Sequence, residues 1–262
     1  TAPATMGGTR AFTLATLDGP RGRHITGYQN EAATPTPNCM LLHFPTSELR
    51  LVHGPEKTTS LMRDMTAELP QLVPTFQSRG MTFGGVIGAR IEHYGDYDVV
   101  FARGAGQMLD ALEGVDRSRR PAITPELERM VDWYHERFCD YSFVLACFNG
   151  MVNPRHPIVV EYTPHSDDLL FIPGLDAHDG TVPTIGQPMP RNFRVAFGAE
   201  DRVQPIKIKY QDPVAGMQWA PDNVTGFYDN RYNGPNDDYV LPLEVVASGA
   251  IGRDLVAELI AG

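Results

Sequence analysis

Cysteine is scarce in this chain, and so are basic side chains and long apolar runs. Three cysteines, Cys39, Cys139 and Cys147, stand in 262 residues. An odd, sparse set excludes a disulfide framework as the main support and points to reduced thiols in a cytoplasmic-type compartment, a mature secreted protein being the alternative. Lysine and arginine number 22 against 32 aspartates and glutamates, a formal charge of −10. That balance argues against a protein that tracks phosphate backbones, so nucleic acid is not an expected partner. The longest apolar stretches, 143–148 and 169–172, fall far short of the roughly 18 residues a bilayer span needs. No membrane span is expected. Internal repeats and like-charge tails are absent too, which excludes solenoid and propeller architectures.

What is present suffices for a folded core. Apolar residues make up 42% of the sequence, enough for a large core at this length. Glycine at 25 and proline at 22 exceed ordinary usage and imply many turns. The pattern predicts an α+β fold over a single domain, residues 1–262, with a mixed or mainly antiparallel sheet, about three to four helices and many loops.

The strongest helix signal is 125–138. Thr124 is a good N-cap, Pro125 suits the first turn, and Leu127, Met130, Val131, Tyr134 and Phe138 recur on one face. The run 141–148 is nearly all apolar, the mark of a strand covered on both faces. Alternating or apolar segments predict further strands at 11–17, 39–44, 49–53, 97–102, 158–162, 169–172, 193–197, 206–210 and 240–246. The 39–44 and 49–53 pair, separated by a short turn, reads as a hairpin. Further helices are expected from Gly54 to Pro70, over 105–112 and over 253–260. A polar stretch up to Asn38 and the segment 211–239 read as loops. The second carries Trp219, Phe227, Tyr228, Tyr232 and Tyr239 among many Asp and Asn residues, the composition of a contact surface.

The densest polar cluster flanks 169–172. His165, Asp167 and Asp168 precede it; Asp176, His178 and Asp179 follow. In an extended segment Asp176 and His178 project the same way, so they could share a divalent ion or act as an acid and base pair, with Asp179 beside them. The predicted catalytic residues are Asp176, His178 and Asp179. The predicted ligands of one divalent metal ion are His165, Asp168, Asp176 and His178. No cofactor-binding residues are assigned. The plainer reading is an Asp-Gly turn in which the carboxylates accept local backbone donors. Cys39 and Cys147 read as inert strand thiols, and the 53–59 segment lacks the glycine spacing of a phosphate loop.

Two functional readings follow. The first is a hydrolase or lyase acting on a small polar substrate through the Asp/His cluster. The second is a non-catalytic binding or self-assembling protein, a homo-oligomer using the 211–239 segment and the apolar stripe Ile251, Leu255 and Leu259 of a C-terminal helix.

Overall fold

The computed structural model describes residues 5–16, 22–71, 89–150, 156–177, 180–198, 205–212 and 216–247. The expected α+β class holds: four α-helices and fifteen strands lie among the described residues. Two sheets carry the body. A seven-stranded sheet has the order β12-β13-β11-β1-β2-β8-β4. Its members are β1 (Thr5–Thr16), β2 (Arg23–Ala33), β4 (Leu49–Leu51), β8 (Ile158–Tyr162), β11 (Phe193–Gly198), β12 (Ile206–Lys207) and β13 (Asn223–Asp229). All its pairings are antiparallel except β1 with β11. A four-stranded antiparallel sheet has the order β3-β7-β6-β5, built from β3 (Asn38–Phe44), β5 (Arg90–Tyr94), β6 (Tyr97–Ala102) and β7 (Ser142–Phe148). Two short antiparallel ribbons complete the set: β9 (Leu169–Ile172) with β15 (Tyr239–Pro242), and β10 (Pro188–Met189) with β14 (Gly234–Pro235).

Side-chain alternation explains the layering. On β7, Val144, Ala146 and Phe148 join a core shared with Leu49, Leu51, Val160 and Tyr162 of the seven-stranded sheet. Phe143, Leu145 and Cys147 point the other way and pack with Leu127, Met130, Val131, Tyr134 and Phe138. Residues of opposite parity on one strand thus fill two cores, which is why its sequence reads as an unbroken apolar run. The helix beneath it, α3 (Pro125–Arg137), starts at Thr124, whose hydroxyl accepts the Leu127 amide, and it buries the expected stripe. α2 (Ala105–Ala111) lies beside it, with Met108 in the same core. On the outer face of the larger sheet, α1 (Leu61–Met65) packs Leu61, Met62 and Met65 against Phe12. The order is helix, sheet, sheet, helix.

Several elements depart from the sequence reading. Segments 39–44 and 49–53 are not a hairpin: β3 pairs with β7 and β4 with β8, in different sheets. The break at 45–48 lets the chain cross between layers, and Thr46 holds the corner by donating to Thr163 O at 2.6 Å. The stretch read as a polar loop contains β2, an interior strand between β1 and β8. Thr26, Gln29 and Asn30 on it are buried, and the Thr13 and Thr26 hydroxyls bond at 2.9 Å. Polar residues with partners inside the sheet masked the strand pattern. The helix expected from Gly54 to Pro70 shrinks to a 3-10 turn, Pro55–Lys57, and α1. Segment 206–210 forms a strand only over Ile206–Lys207. Segment 240–246 divides between β15 and α4 (Leu243–Ala247).

The 211–239 segment is not a single loop. β13 runs through it beside β11, and Phe227 and Tyr239 enter the shared core. Trp219 packs near Phe12, ring centroids 6.2 Å apart, while the Arg194 guanidinium lies 4.3 Å from the Tyr228 ring centroid. Tyr232, at 81% exposure, is the ring left in solvent. The expected helix 253–260, with Ile251, Leu255 and Leu259, lies outside the described residues. No helix among the described residues is long and apolar enough to cross a membrane.

Candidate functional site

The predicted polar cluster divides between the two ends of β9. Because β9 pairs with β15 from Leu169↔Pro242 to Ile172↔Tyr239, His165 and Asp168 lie toward one end and Asp176 beyond the other. His165 is exposed; its Nε2 lies 3.0 Å from the Asp140 carbonyl oxygen and 3.5 Å from the Asp140 carboxylate. Asp168 is exposed, and its carbonyl accepts the Leu243 amide at 2.7 Å. Asp176 is half-buried and clamped through its backbone: its amide donates to Asn236 Oδ1 at 2.9 Å, and Asn236 Nδ2 donates back to the Asp176 carbonyl at 2.9 Å. His178 and Asp179 lie outside the described residues. Among the described residues no group of three His, Cys, Asp or Glu side chains is placed to hold a metal ion.

Two ionisable clusters that the sequence reading missed surround this region, and both tie the chain together. His43 on β3 is buried among Tyr134, Phe138, Tyr141 and Phe171, and its Nε2 donates to Asp238 Oδ2 at 2.8 Å. The other Asp238 oxygen accepts the Gly174 and Leu175 amides at 2.8 and 3.1 Å. One carboxylate therefore joins β3 to the turn after β9. Nearby, Asp229 is wholly buried and accepts both arms of Arg231 at 2.7 Å and the Tyr239 hydroxyl at 2.9 Å. Burial alone would push its carboxyl up, yet the hydrogen bonds and charge of Arg231, with Tyr239 and Arg191, outweigh that and hold it below the usual range. Arg191, also buried, donates to the Gly174 and Asp237 carbonyls at 3.0 Å each and faces the Phe193 ring. The two strand thiols are inert in character: burial pushes Cys39 up to about 12, and Cys147 is raised well above the usual thiol range by the same cause.

A cleft of about 480 Å³ opens where the ends of the two large sheets meet. Four arginines line it: Arg23 at the start of β2, Arg50 on β4, Arg90 at the start of β5 and Arg103 just past β6. The acids in its lining are Glu48 and Glu161, leaving a formal +2 within a chain of −10. The register explains the central contact. Arg50 faces Glu161 directly across the β4–β8 pair, and its Nε and Nη2 reach Glu161 Oε2 at 3.0 and 2.7 Å. Arg23 Nη1 takes Oε1 at 2.8 Å. Glu161 thus stands between two guanidiniums. Arg90 lies 4.2 Å over the Phe101 ring, donates to the Leu49 carbonyl at 2.9 Å and bonds Glu92 at 2.7 Å, bridging the edges of the two sheets. Arg103 makes no hydrogen bond or ion pair among the described residues. These arginines are scattered over eighty positions and follow no motif spacing, so only the fold assembles them.

No family model and no curated protein matches this sequence. Among solved structures, baculovirus P35 is similar at 9% identity with a TM-score of 0.46, over 90% of this chain and 97% of that one. A mutated baculovirus P35 after caspase cleavage is similar at 10% identity with a TM-score of 0.44, over 92% of this chain and 99% of that one. A likeness at that level carries no function to this chain.

Proposed function

We propose that this protein is a non-catalytic binding protein whose ligand is anionic and enters the cleft between the sheet ends. The observation that carries the reading is the four arginines around one open cleft in a chain whose overall charge is −10. A net acidic surface repels anions in general, so a local excess of guanidinium groups in a concave site gives selectivity for one place of binding. Guanidinium groups offer planar pairs of donors that match oxyanions, and a cleft of this size falls in the range of small-molecule sites. The small polar ligand expected from the sequence is, on this reading, a negatively charged one.

The test is calorimetry with three anionic probes, pyrophosphate, citrate and a short oligoglutamate peptide, on the wild type and on an Arg50→Ala, Arg103→Ala double variant. Saturable binding of at least one probe, lost in the double variant and weakened by salt, is the expected result. Failure of all three probes, or equal binding by the double variant, overturns the reading. The competing proposal, an enzyme built on Asp176, His178 and Asp179 with a metal held by His165, Asp168, Asp176 and His178, predicts stoichiometric divalent metal in the purified protein and loss of that metal in Asp176→Asn.

A further inference from the structure

Resting on the anion-binding reading above, we infer that the ligand is a small oxyanion of two or more charges, a phosphate ester or polycarboxylate, and that Glu161 competes with it for the cleft arginines. Glu161 is a single carboxylate shared by two guanidiniums, with Arg50 on one oxygen and Arg23 on the other. One negative charge neutralises one of these cations. With Glu48 and the Glu92 that pairs Arg90 both counted, the arginines exceed the acids by one, and a dianion that draws Arg23 and Arg50 from Glu161 has two guanidiniums beside Arg103 to balance it. Arg103, without a partner among the described residues, supplies the unspent donor fork. The Phe101 face beneath Arg90 fixes that guanidinium at 4.2 Å and orients its plane.

The Arg23 and Arg50 side chains are 52% and 62% exposed, so an entering oxyanion can compete with Glu161 for their donors from the solvent side. Glu161 itself is 16% exposed and sits on β8, an interior strand, so its backbone cannot leave with the side chain. It therefore acts as a competitor fixed at the rim of the site. It keeps Arg23 and Arg50 extended toward the cleft, and it repels a ligand of its own sign.

The decisive substitution is Glu161→Gln, which keeps the shape and removes the charge. Pyrophosphate and citrate affinities should rise roughly tenfold, the effect of deleting one like charge a few ångström from a bound dianion in a half-solvated site. Arg23→Ala should lower both affinities, and chloride should show no saturable binding to either protein. Tighter pyrophosphate alone assigns a phosphate ligand; tighter citrate alone assigns a polycarboxylate. Unchanged or weaker binding of both probes in Glu161→Gln overturns the competitor role. If oligoglutamate binds through the cleft arginines while pyrophosphate and citrate do not, the small-ligand inference falls and the anion-binding reading stands. If none of the probes binds, both fall.

Discussion

His24 should make this protein lose stability on mild acidification. The side chain is 1% exposed on β2, its Nδ1 has no hydrogen-bond partner, and its ring meets Tyr162 edge-on at 5.6 Å. Burial pushes its pKa from 6.5 down to about 4, against a smaller upward pull from the Asp167 charge. The unfolded chain binds the proton near pH 6.5, while the folded chain resists until about pH 4. Stability from this group is therefore complete above pH 6.5 and is lost as pH falls through that window. Between pH 8 and pH 5 the loss is about 2 kcal/mol, approaching about 3 kcal/mol below pH 4. Urea unfolding of the wild type and of His24→Phe at both pH values isolates the contribution. Phenylalanine keeps an aromatic edge against Tyr162 and cannot titrate, so the variant should lose about 2 kcal/mol less than the wild type across the same interval. Asp167→Asn, which removes the opposing pull, should leave the loss between pH 8 and pH 5 unchanged and extend it below pH 4. Equal losses in the wild type and His24→Phe would refute the argument, because every other titrating group is common to both.

Asp229→Asn should cost about 3 kcal/mol or more, since it leaves Arg231 and Arg191 buried without their carboxylate, and thermal unfolding followed by circular dichroism measures it. Leu127→Ala should cost about 3 kcal/mol by opening a cavity between α3 and β7, read as a lower urea midpoint with an unchanged slope. At Gly226, φ is +155° and a Cβ would run into the Val195 carbonyl oxygen, so Gly226→Ala should destabilise by about 2 kcal/mol or more, visible as loss of hydrogen-exchange protection in β11 and β13. Thr124→Ala should cost about 1 kcal/mol through loss of the α3 cap, a calorimetric shift of a few degrees.

Elements that state their own environment were legible. The α3 stripe recurs at helical spacing and its cap stands at the right place, while the apolar 142–148 run can only suit a strand buried on both faces. Where polar residues find partners inside a sheet, that logic fails. β2 looked like a loop because nothing local shows that Thr26 would meet Thr13 or that Gln29 and Asn30 would be buried. The aromatic 211–239 segment misled for the converse reason: its Asp and Asn residues suggested solvent, although Asp229 sits between Arg231 and Tyr239 in the interior.

Composition and local periodicity determined the class of fold, the main helix and the doubly buried strand, because each depends on residues a few positions apart. The tertiary structure alone decided that 39–44 and 49–51 part into different sheets, since that choice rests on pairing with 142–148 and 158–162, far along the chain. It alone decided the cleft as well. Arg23, Arg50, Arg90 and Arg103 carry no signal in order of sequence, and they act together only because strands from two sheets end at the same place, with Glu161 set across from Arg50 by a single register.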